Sequence, residues 1–198
     1  MADVTRISSI SPTSMPFIRI IIGLWIAFYA FWLISAIGVK KSVRGTSWRR
    51  GIGIRLLLVL VIIAFVRLLR IRHVWVPTRS TAVGIAGLVV CVAGLGLAVW
   101  ARRHLGRNWG TPMSLKEGHE LVTTGPYRLV RHPIYAGILT AVLGSTLVAG
   151  GFWLVLFLVA APFFVYSAKT EERLMMQQFP ETYPDYEKRT YALIPFVW

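Results

Sequence analysis

Acidic residues and cysteine are scarce in this sequence, and few residues are charged at all. Only 15% of the 198 residues are charged, with 8 Asp and Glu against 22 Lys and Arg, whereas 56% are hydrophobic and the mean hydropathy is +0.62. A soluble domain of this length needs a much larger polar surface. We therefore predict an all-α fold: a polytopic bundle of about five transmembrane helices, forming a single integral membrane domain over residues 1–198.

The lack of cysteine excludes several kinds of site. The single cysteine, Cys91, lies inside an apolar run, so it forms no intrachain disulfide and is expected to be inert. Three histidines, His104, His119 and His132, lack a compact ligand spacing, and no metal site is predicted. No serine lies in the elbow motif of a Ser-His-Asp hydrolase.

Basic residues cluster in the loops between the apolar runs. This placement argues against nucleic-acid binding and favours contact with anionic lipid head groups. Their concentration in alternate loops predicts that the N-terminus lies outside and the C-terminus inside. Because the spans are helical, the membrane is predicted to be the inner one of a bacterium. The basic loop 70–79 goes against this orientation, and the side of the membrane on which that loop lies is left open.

Apolar runs long enough to cross a bilayer alternate with polar segments. The last two runs are separated by Gly150 and Gly151, which predicts a short helical hairpin. The polar segments 102–133 and 169–198 are predicted to be cytoplasmic and to bind a cofactor. The predicted spans are 16–38, 52–69, 80–101, 134–150 and 152–168.

A short polar run, residues 131–135, lies where a basic loop meets the fourth apolar run. Because Pro133 disfavours the α conformation at His132, the helix is expected to begin at the proline. On one interpretation His132 only caps this helix or meets lipid phosphate. On the other, which we favour, the positive helix end binds an anionic group such as a carboxylate.

A pair of carboxylates, Glu171 and Glu172, follows the last apolar run. Carboxylates are unfavourable near a helix C-terminus, so a cation is expected to compensate them. Lys169 and Arg173 can do so, as can the ammonium or sulfonium of a ligand. We predict that this pair faces residues 131–135 across the hairpin, and that together they hold a small charged cofactor.

These motifs resemble those of a known family. Residues 118–127, 131–137 and 171–172, with Phe179, Tyr183 and Tyr186, are similar to the isoprenylcysteine carboxyl methyltransferases, polytopic membrane enzymes that use S-adenosyl-L-methionine. The resemblance covers roughly the last hundred residues. It implies a pocket open to the cytosol for the cofactor and to the bilayer for a lipophilic acceptor. It also implies that the cofactor is bound by His119, Glu120, Leu121, Val122, Tyr127, His132, Pro133, Ile134, Tyr135 and Glu171.

Further roles complete the predicted site. We assign Arg131 and Glu172 as catalytic residues. Eukaryotic members of the family carry an arginine for the substrate carboxylate four residues before the first matching glutamate, and Ser167 stands there in this chain. The predicted substrate-binding residues are Asn108, Trp109 and Lys169, with Lys169 as the substitute for that arginine.

The predicted function is S-adenosylmethionine-dependent methyl transfer to a lipophilic acceptor, either isoprenylcysteine-carboxylate-like or another lipid or small molecule. Such a displacement needs mainly alignment and exclusion of water, which fits the lack of a triad. Oxygen, nitrogen and sulfur acceptors all stay open, as does the oligomeric state. The alternatives are an NADPH-dependent membrane reductase of the sterol type and a non-enzymatic membrane protein that binds a lipid or partner.

Overall fold

The computed structural model describes residues 14–37, 42–45, 78, 80–109, 114–116 and 120–194. The all-α bundle predicted from composition is confirmed, while the predicted span 52–69 lies outside the described residues. Short 3-10 turns cover Gly106–Asn108 and Gly125–Arg128. The helices are α1 (Met15–Ser35), α2 (Thr81–Leu105), α3 (Pro133–Ala149), α4 (Gly151–Gln178) and α5 (Tyr183–Lys188).

Two short strands form a ribbon that no sequence pattern predicted. Strand β1 (Ser42–Gly45) pairs antiparallel with β2 (Ser114–Lys116), with Ser42 opposite Lys116 and Gly45 opposite Ser114. Strand β2 also contacts α4. The ribbon therefore joins the segment after α1 to the loop after α2.

Among the described helices, three have the length and apolar composition needed to cross a membrane. The mean hydropathy of the most apolar stretch is 2.1 in α1, 2.5 in α2 and 2.0 in α4. Helix α3 is also apolar but has only 17 residues. Large hydrophobic side chains such as Ile26, Leu33 and Leu158 are exposed on the outer faces, where lipid would cover them. These features support an integral membrane protein.

Helices α2 and α3 pack backbone against backbone. A Cβ atom added to Gly137 would lie 2.6 Å from the carbonyl oxygen of Gly94, and one added to Gly87 would lie 2.8 Å from that of Gly144. Small residues permit this close approach between membrane helices. This close packing is observed at Gly87 and Gly94, whereas a Cβ atom added to Gly96 would meet nothing within 4 Å.

A buried arginine joins the ends of α1 and α2. The guanidinium of Arg102 donates hydrogen bonds to the carbonyl oxygens of Ser35 and, at 2.8 Å, Gly106. It also lies 4.6 Å above the ring of Trp109. The C-terminal ends of α1 and α2 consequently lie together, on the side of the bundle that carries the candidate site.

Candidate functional site

The start of α3 is held by the C-terminal segment of the chain. Pro133 occupies the first helical turn, where its missing N–H is not needed. The two residues before it are paired with the far end of the chain, since the N–H of Arg131 donates to Tyr191 O at 2.8 Å and that of His132 to Ala192 O at 3.0 Å. This pairing fixes the backbone from which both side chains project.

Arg131 is bound on three sides. Its Nε donates to Glu172 Oε1 at 2.7 Å, and its Nη1 donates to the carbonyl oxygens of Thr190 at 2.6 Å and Glu187 at 3.0 Å. The side chain of Arg131 is only 10% exposed and that of Glu172 only 15% exposed. A buried ion pair needs such additional partners to offset its desolvation.

His132 lies between the two glutamates. Its Nδ1 is 3.5 Å from Glu171 Oε2, and its Nε2 is 3.3 Å from Glu172 Oε1. Burial of the imidazole lowers its pKa, but the hydrogen bonds and charges of Glu171 and Glu172 outweigh that effect, so the pKa of His132 is raised. His132 and Arg131 thus face two carboxylates, and the raised pKa of His132 favours its protonated form. Arg131, His132, Glu171 and Glu172 are called the charged cluster below.

Tyr135 connects the charged cluster to an aromatic region. Its hydroxyl donates to Glu171 Oε1 at 2.5 Å, and its ring lies parallel to the ring of His132 at 5.6 Å. The ring of Phe164 in α4 is also stacked on that of Tyr135, with 4.6 Å between ring centres. One turn of α3 therefore presents a polar hydroxyl to a carboxylate and an aromatic face to α4.

Three further tyrosines surround this region as neutral phenols. Burial is the main cause that raises the pKa of Tyr127, Tyr183 and Tyr186, the last to about 12. The hydroxyl of Tyr186 donates to the carbonyl oxygen of Tyr127 at 2.7 Å. Near neutral pH these groups act as hydrogen-bond donors and apolar surfaces, not as bases.

A cavity of about 540 Å³ lies between α1, α3, α4 and α5. Its volume is within the range of roughly 300–1,000 Å³ that small-molecule sites occupy. Arg131, His132 and Glu171 line one end. Rings from two helices also line the cavity and are called the aromatic wall below: Trp25, Phe28, Tyr29, Trp32, Phe163 and Phe164.

Most of the predicted site residues line this cavity. Pro133 and Glu172 do not line it. Pro133 begins α3, and the carboxylate of Glu172 is hydrogen-bonded to Arg131 and His132. His119 lies outside the described residues. The predicted residues that do line the cavity are Asn108, Trp109, Glu120, Leu121, Val122, Tyr127, Arg131, His132, Ile134, Tyr135 and Glu171.

Lys169 is exposed on α4 and does not line the cavity. Two residues along a helix correspond to a rotation of about 200°, so Lys169 and Glu171 lie on nearly opposite faces. We therefore assign Lys169 no substrate contact in this cavity. Ser167, at the position of the family's arginine, is fully buried, and its hydroxyl has no hydrogen-bond partner among the described residues.

Sequence reasoning did not assign the aromatic wall to the site. A signal was present, because Trp25, Tyr29 and Trp32 recur at the spacing of one helical face. In a membrane helix such a stripe is equally typical of an interfacial anchor. The ring of Trp32 packs edge-on against that of Trp109, with 5.6 Å between ring centres. This contact joins α1 to the predicted substrate-binding residues.

Comparisons with known proteins give consistent matches. A model of the family described as phospholipid methyltransferase matches residues 83–182. The chain is 30% identical over 128 residues to protein-S-isoprenylcysteine O-methyltransferase A of Arabidopsis thaliana, covering 64% of this chain and 62% of that protein. The Schizosaccharomyces pombe protein-S-isoprenylcysteine O-methyltransferase is 37% identical over 81 residues, covering 40% of this chain and 34% of its own length.

A bacterial relative and a solved structure extend these matches. The nickel-cobalt-cadmium resistance protein NccN of Alcaligenes xylosoxydans xylosoxydans is 29% identical over 123 residues, 61% of this chain and 52% of that protein. The chain thus spans about half the length of that relative. The structure of the eukaryotic intramembrane Ras methyltransferase ICMT shares the fold, with a TM-score of 0.63 and 21% identity over 95% of this chain and 69% of that one.

Proposed function

Because the chain belongs to the phospholipid methyltransferase family, we propose that it is a membrane enzyme that transfers a methyl group from S-adenosyl-L-methionine to a lipophilic acceptor. One observation carries this proposal: a single cavity joins the charged cluster to the aromatic wall. The first can hold a zwitterionic cofactor, and the second can hold an apolar chain. The family match and the isoprenylcysteine methyltransferase relatives support the same reaction class.

The polar end of the cavity fits the amino acid part of S-adenosyl-L-methionine. His132, whose raised pKa favours the protonated form, and the positive end of α3 favour a carboxylate, whereas Glu171 and the exposed Glu120 favour an ammonium or sulfonium. Buried Tyr127 and Tyr183 offer apolar faces for a nucleoside. The cofactor, when bound, supplies the methyl group. Opposite charges close together in one cavity suit a ligand that carries both.

Arg131 and Glu172 have a positioning role in this proposal. Their ion pair fixes the residues before α3, and Glu172 also orients His132 through Nε2. Glu172 does not line the cavity, so we place its effect on His132 rather than on the reacting atoms. The chain's contribution to the reaction is alignment and exclusion of water, which a displacement at carbon mainly needs.

The acceptor is proposed to enter from the bilayer with its apolar part against the aromatic wall. Many residues of α1 expose large apolar side chains beside this wall, so hydrocarbon surrounds it in a membrane. Ser167 supplies no cation for an acceptor carboxylate. Recognition in the described part of the chain therefore rests on apolar contact. We place the charged end on the cytoplasmic side of a bacterial inner membrane, where basic loops are favoured.

Calorimetric titration of the detergent-purified protein tests the cofactor class. We expect S-adenosylhomocysteine to bind and NADPH not to bind. Glu171→Ala should weaken the binding of S-adenosylhomocysteine by roughly tenfold or more, since a hydrogen bond to a charged group is lost. The matched control is Glu181→Ala, because Glu181 is exposed and lies outside the cavity.

The other outcomes separate the alternatives. Binding of NADPH but not of the thioether nucleoside would favour a reductase. A folded sample that binds neither compound would favour a non-enzymatic lipid-binding protein. Equal affinity in Glu171→Ala and the unmodified protein would remove Glu171 from the cofactor site while leaving the reaction class in place.

A further inference from the structure

Trp25 links α1 to α3 inside the membrane. Its indole Nε1 donates a hydrogen bond to Ser145 Oγ at 3.1 Å, and Ser145 is fully buried. The hydroxyl of Ser145 donates in turn to the carbonyl oxygen of Ala141 at 2.9 Å. An indole N–H surrounded by hydrocarbon needs such a partner, because an unpaired donor is costly there. The indole is thereby fixed in position and orientation.

The same indole links α1 to α4. Its ring is stacked on that of Trp153, with 5.4 Å between ring centres and 24° between planes. Phe28, one turn later on α1, packs edge-on against Trp25 at 5.7 Å. Trp25 is only 8% exposed. Three helices are therefore joined at one side chain.

This junction lies at the apolar end of the cavity. Trp25 is the cavity-lining residue of α1 farthest from the charged cluster, as Ile138 is on α3 and Phe163 is on α4. Ser145 lies about two helical turns beyond Ile138, and Trp153 about three turns beyond Phe163. The partners of Trp25 thus lie outside the cavity, and its ring closes the space between the three helices.

We propose that Trp25, held by Ser145 and Trp153, is the end stop of the acceptor site and sets the length of the hydrocarbon chain that the enzyme accepts. This inference rests on the proposed function. The rise along α1 from Trp32 to Trp25 is about 10 Å, which defines the depth available to a chain entering beside Trp32. A longer chain meets the indole face and cannot pass between α1, α3 and α4.

The test uses S-alkylated N-acetylcysteines of increasing chain length as probes, with binding measured by the shift in thermal unfolding of the detergent-purified protein. For the unmodified protein we expect affinity to rise with chain length, reach a maximum and then fall. Trp25→Ala should move the maximum to longer chains. Two or more additional buried methylene groups should improve affinity for the longest probe by roughly tenfold.

Two milder variants keep the test informative if Trp25→Ala does not fold. Trp25→Phe keeps a ring but removes the N–H donor, and Ser145→Ala removes the acceptor. Both should broaden the dependence of affinity on chain length without removing its maximum. The reason is that the ring at position 25 stays in place but loses its hydrogen bond to the side chain at position 145. The matched control is Trp100→Ala, since Trp100 is half exposed on α2, lies outside the cavity and should leave the profile unchanged.

Failure of this inference is distinguishable from failure of the proposed function. Binding of S-adenosylhomocysteine is measured on the same samples. If it binds but the length profile is flat, or is the same in Trp25→Ala, Trp25→Phe and the unmodified protein, the end stop is refuted and the methyltransferase proposal stands. If S-adenosylhomocysteine does not bind, the proposed function fails whatever the length profile shows.

Discussion

The hydroxyl of Tyr135 donates a 2.5 Å hydrogen bond to the carboxylate of Glu171, which connects the first turn of α3 to the C-terminal half of α4. The two helices are consecutive and antiparallel, so this bond closes the open end of their hairpin. It also fixes the one carboxylate of the charged cluster that lines the cavity. Helix pairing and cofactor binding thus depend on the same contact.

Tyr135→Phe is expected to weaken the binding of S-adenosylhomocysteine by roughly tenfold, because the Glu171 carboxylate loses a strong donor and its fixed orientation. Calorimetric titration measures the change. Tyr166→Phe is the matched control, since Tyr166 is 61% exposed on α4, the helix that carries Glu171. An unchanged affinity in Tyr135→Phe would show that Glu171 is oriented without the tyrosine.

Arg131→Lys is expected to destabilise the protein by about 2 kcal/mol, although the positive charge is kept. An ammonium cannot reproduce the fixed fork with which Arg131 reaches Glu172 and the carbonyl oxygen of Thr190. The thermal midpoint in detergent reports the loss. Arg173→Lys, at an exposed position of α4, should leave the midpoint unchanged. A similar small effect of both changes would mean that the fork geometry contributes little.

His132 gives the stability a predictable dependence on pH. Its folded-state pKa is raised above the ordinary value of about 6.5, so its protonated form stabilises the fold. That contribution is complete below about pH 6.5 and is lost as the pH rises through the folded-state pKa. The facing charges are Glu171, Glu172 and Arg131.

Thermal midpoints measured from pH 6 to 9 should therefore fall more steeply in the unmodified protein than in His132→Gln. His104→Gln should keep the steep dependence, because His104 is exposed on α2 and lies away from the charged cluster. Parallel curves for His132→Gln and the unmodified protein would contradict the assignment.

Gly94→Ala is expected to destabilise the bundle by roughly 1–3 kcal/mol, since the added methyl group would collide with the backbone of α3 at Gly137 and Ala141. Gly96→Ala is the matched control two residues away, where a Cβ atom meets nothing within 4 Å. Yield of folded protein and thermal midpoint are the measurements. Equal tolerance of both substitutions would show that α2 and α3 can separate.

Local sequence signals were sufficient for several features. Pro133 predicted where α3 begins, and Gly150 ends the same helix with a positive φ of 79°. The prediction that residues 131–135 meet Glu171 and Glu172 agrees with the observed contacts, because a hairpin of two helices brings its open ends together. The resemblance to the isoprenylcysteine carboxyl methyltransferases is confirmed by the comparisons.

Contacts between distant segments could not be predicted in the same way. Arg131 binds the backbone carbonyl oxygens of Glu187 and Thr190. Residue type cannot indicate such a contact, because every residue carries a backbone carbonyl oxygen. Two single long-range hydrogen bonds help to position α1, from Arg102 to Ser35 and from Trp25 to Ser145. Periodicity reports which face of a helix is apolar, but not which neighbour that face meets.

The pairing of Arg131 and His132 with Tyr191 and Ala192 has a consequence for the order of events during synthesis. These partners lie beyond the family-matched residues 83–182 and are translated after α1 to α4. Arg131 and Glu172 therefore stay incompletely enclosed while the earlier helices enter the bilayer. They are enclosed when the segment after α5 leaves the ribosome and pairs with Arg131 and His132. The charged cluster is therefore fully enclosed only after α1 to α4 have been synthesised.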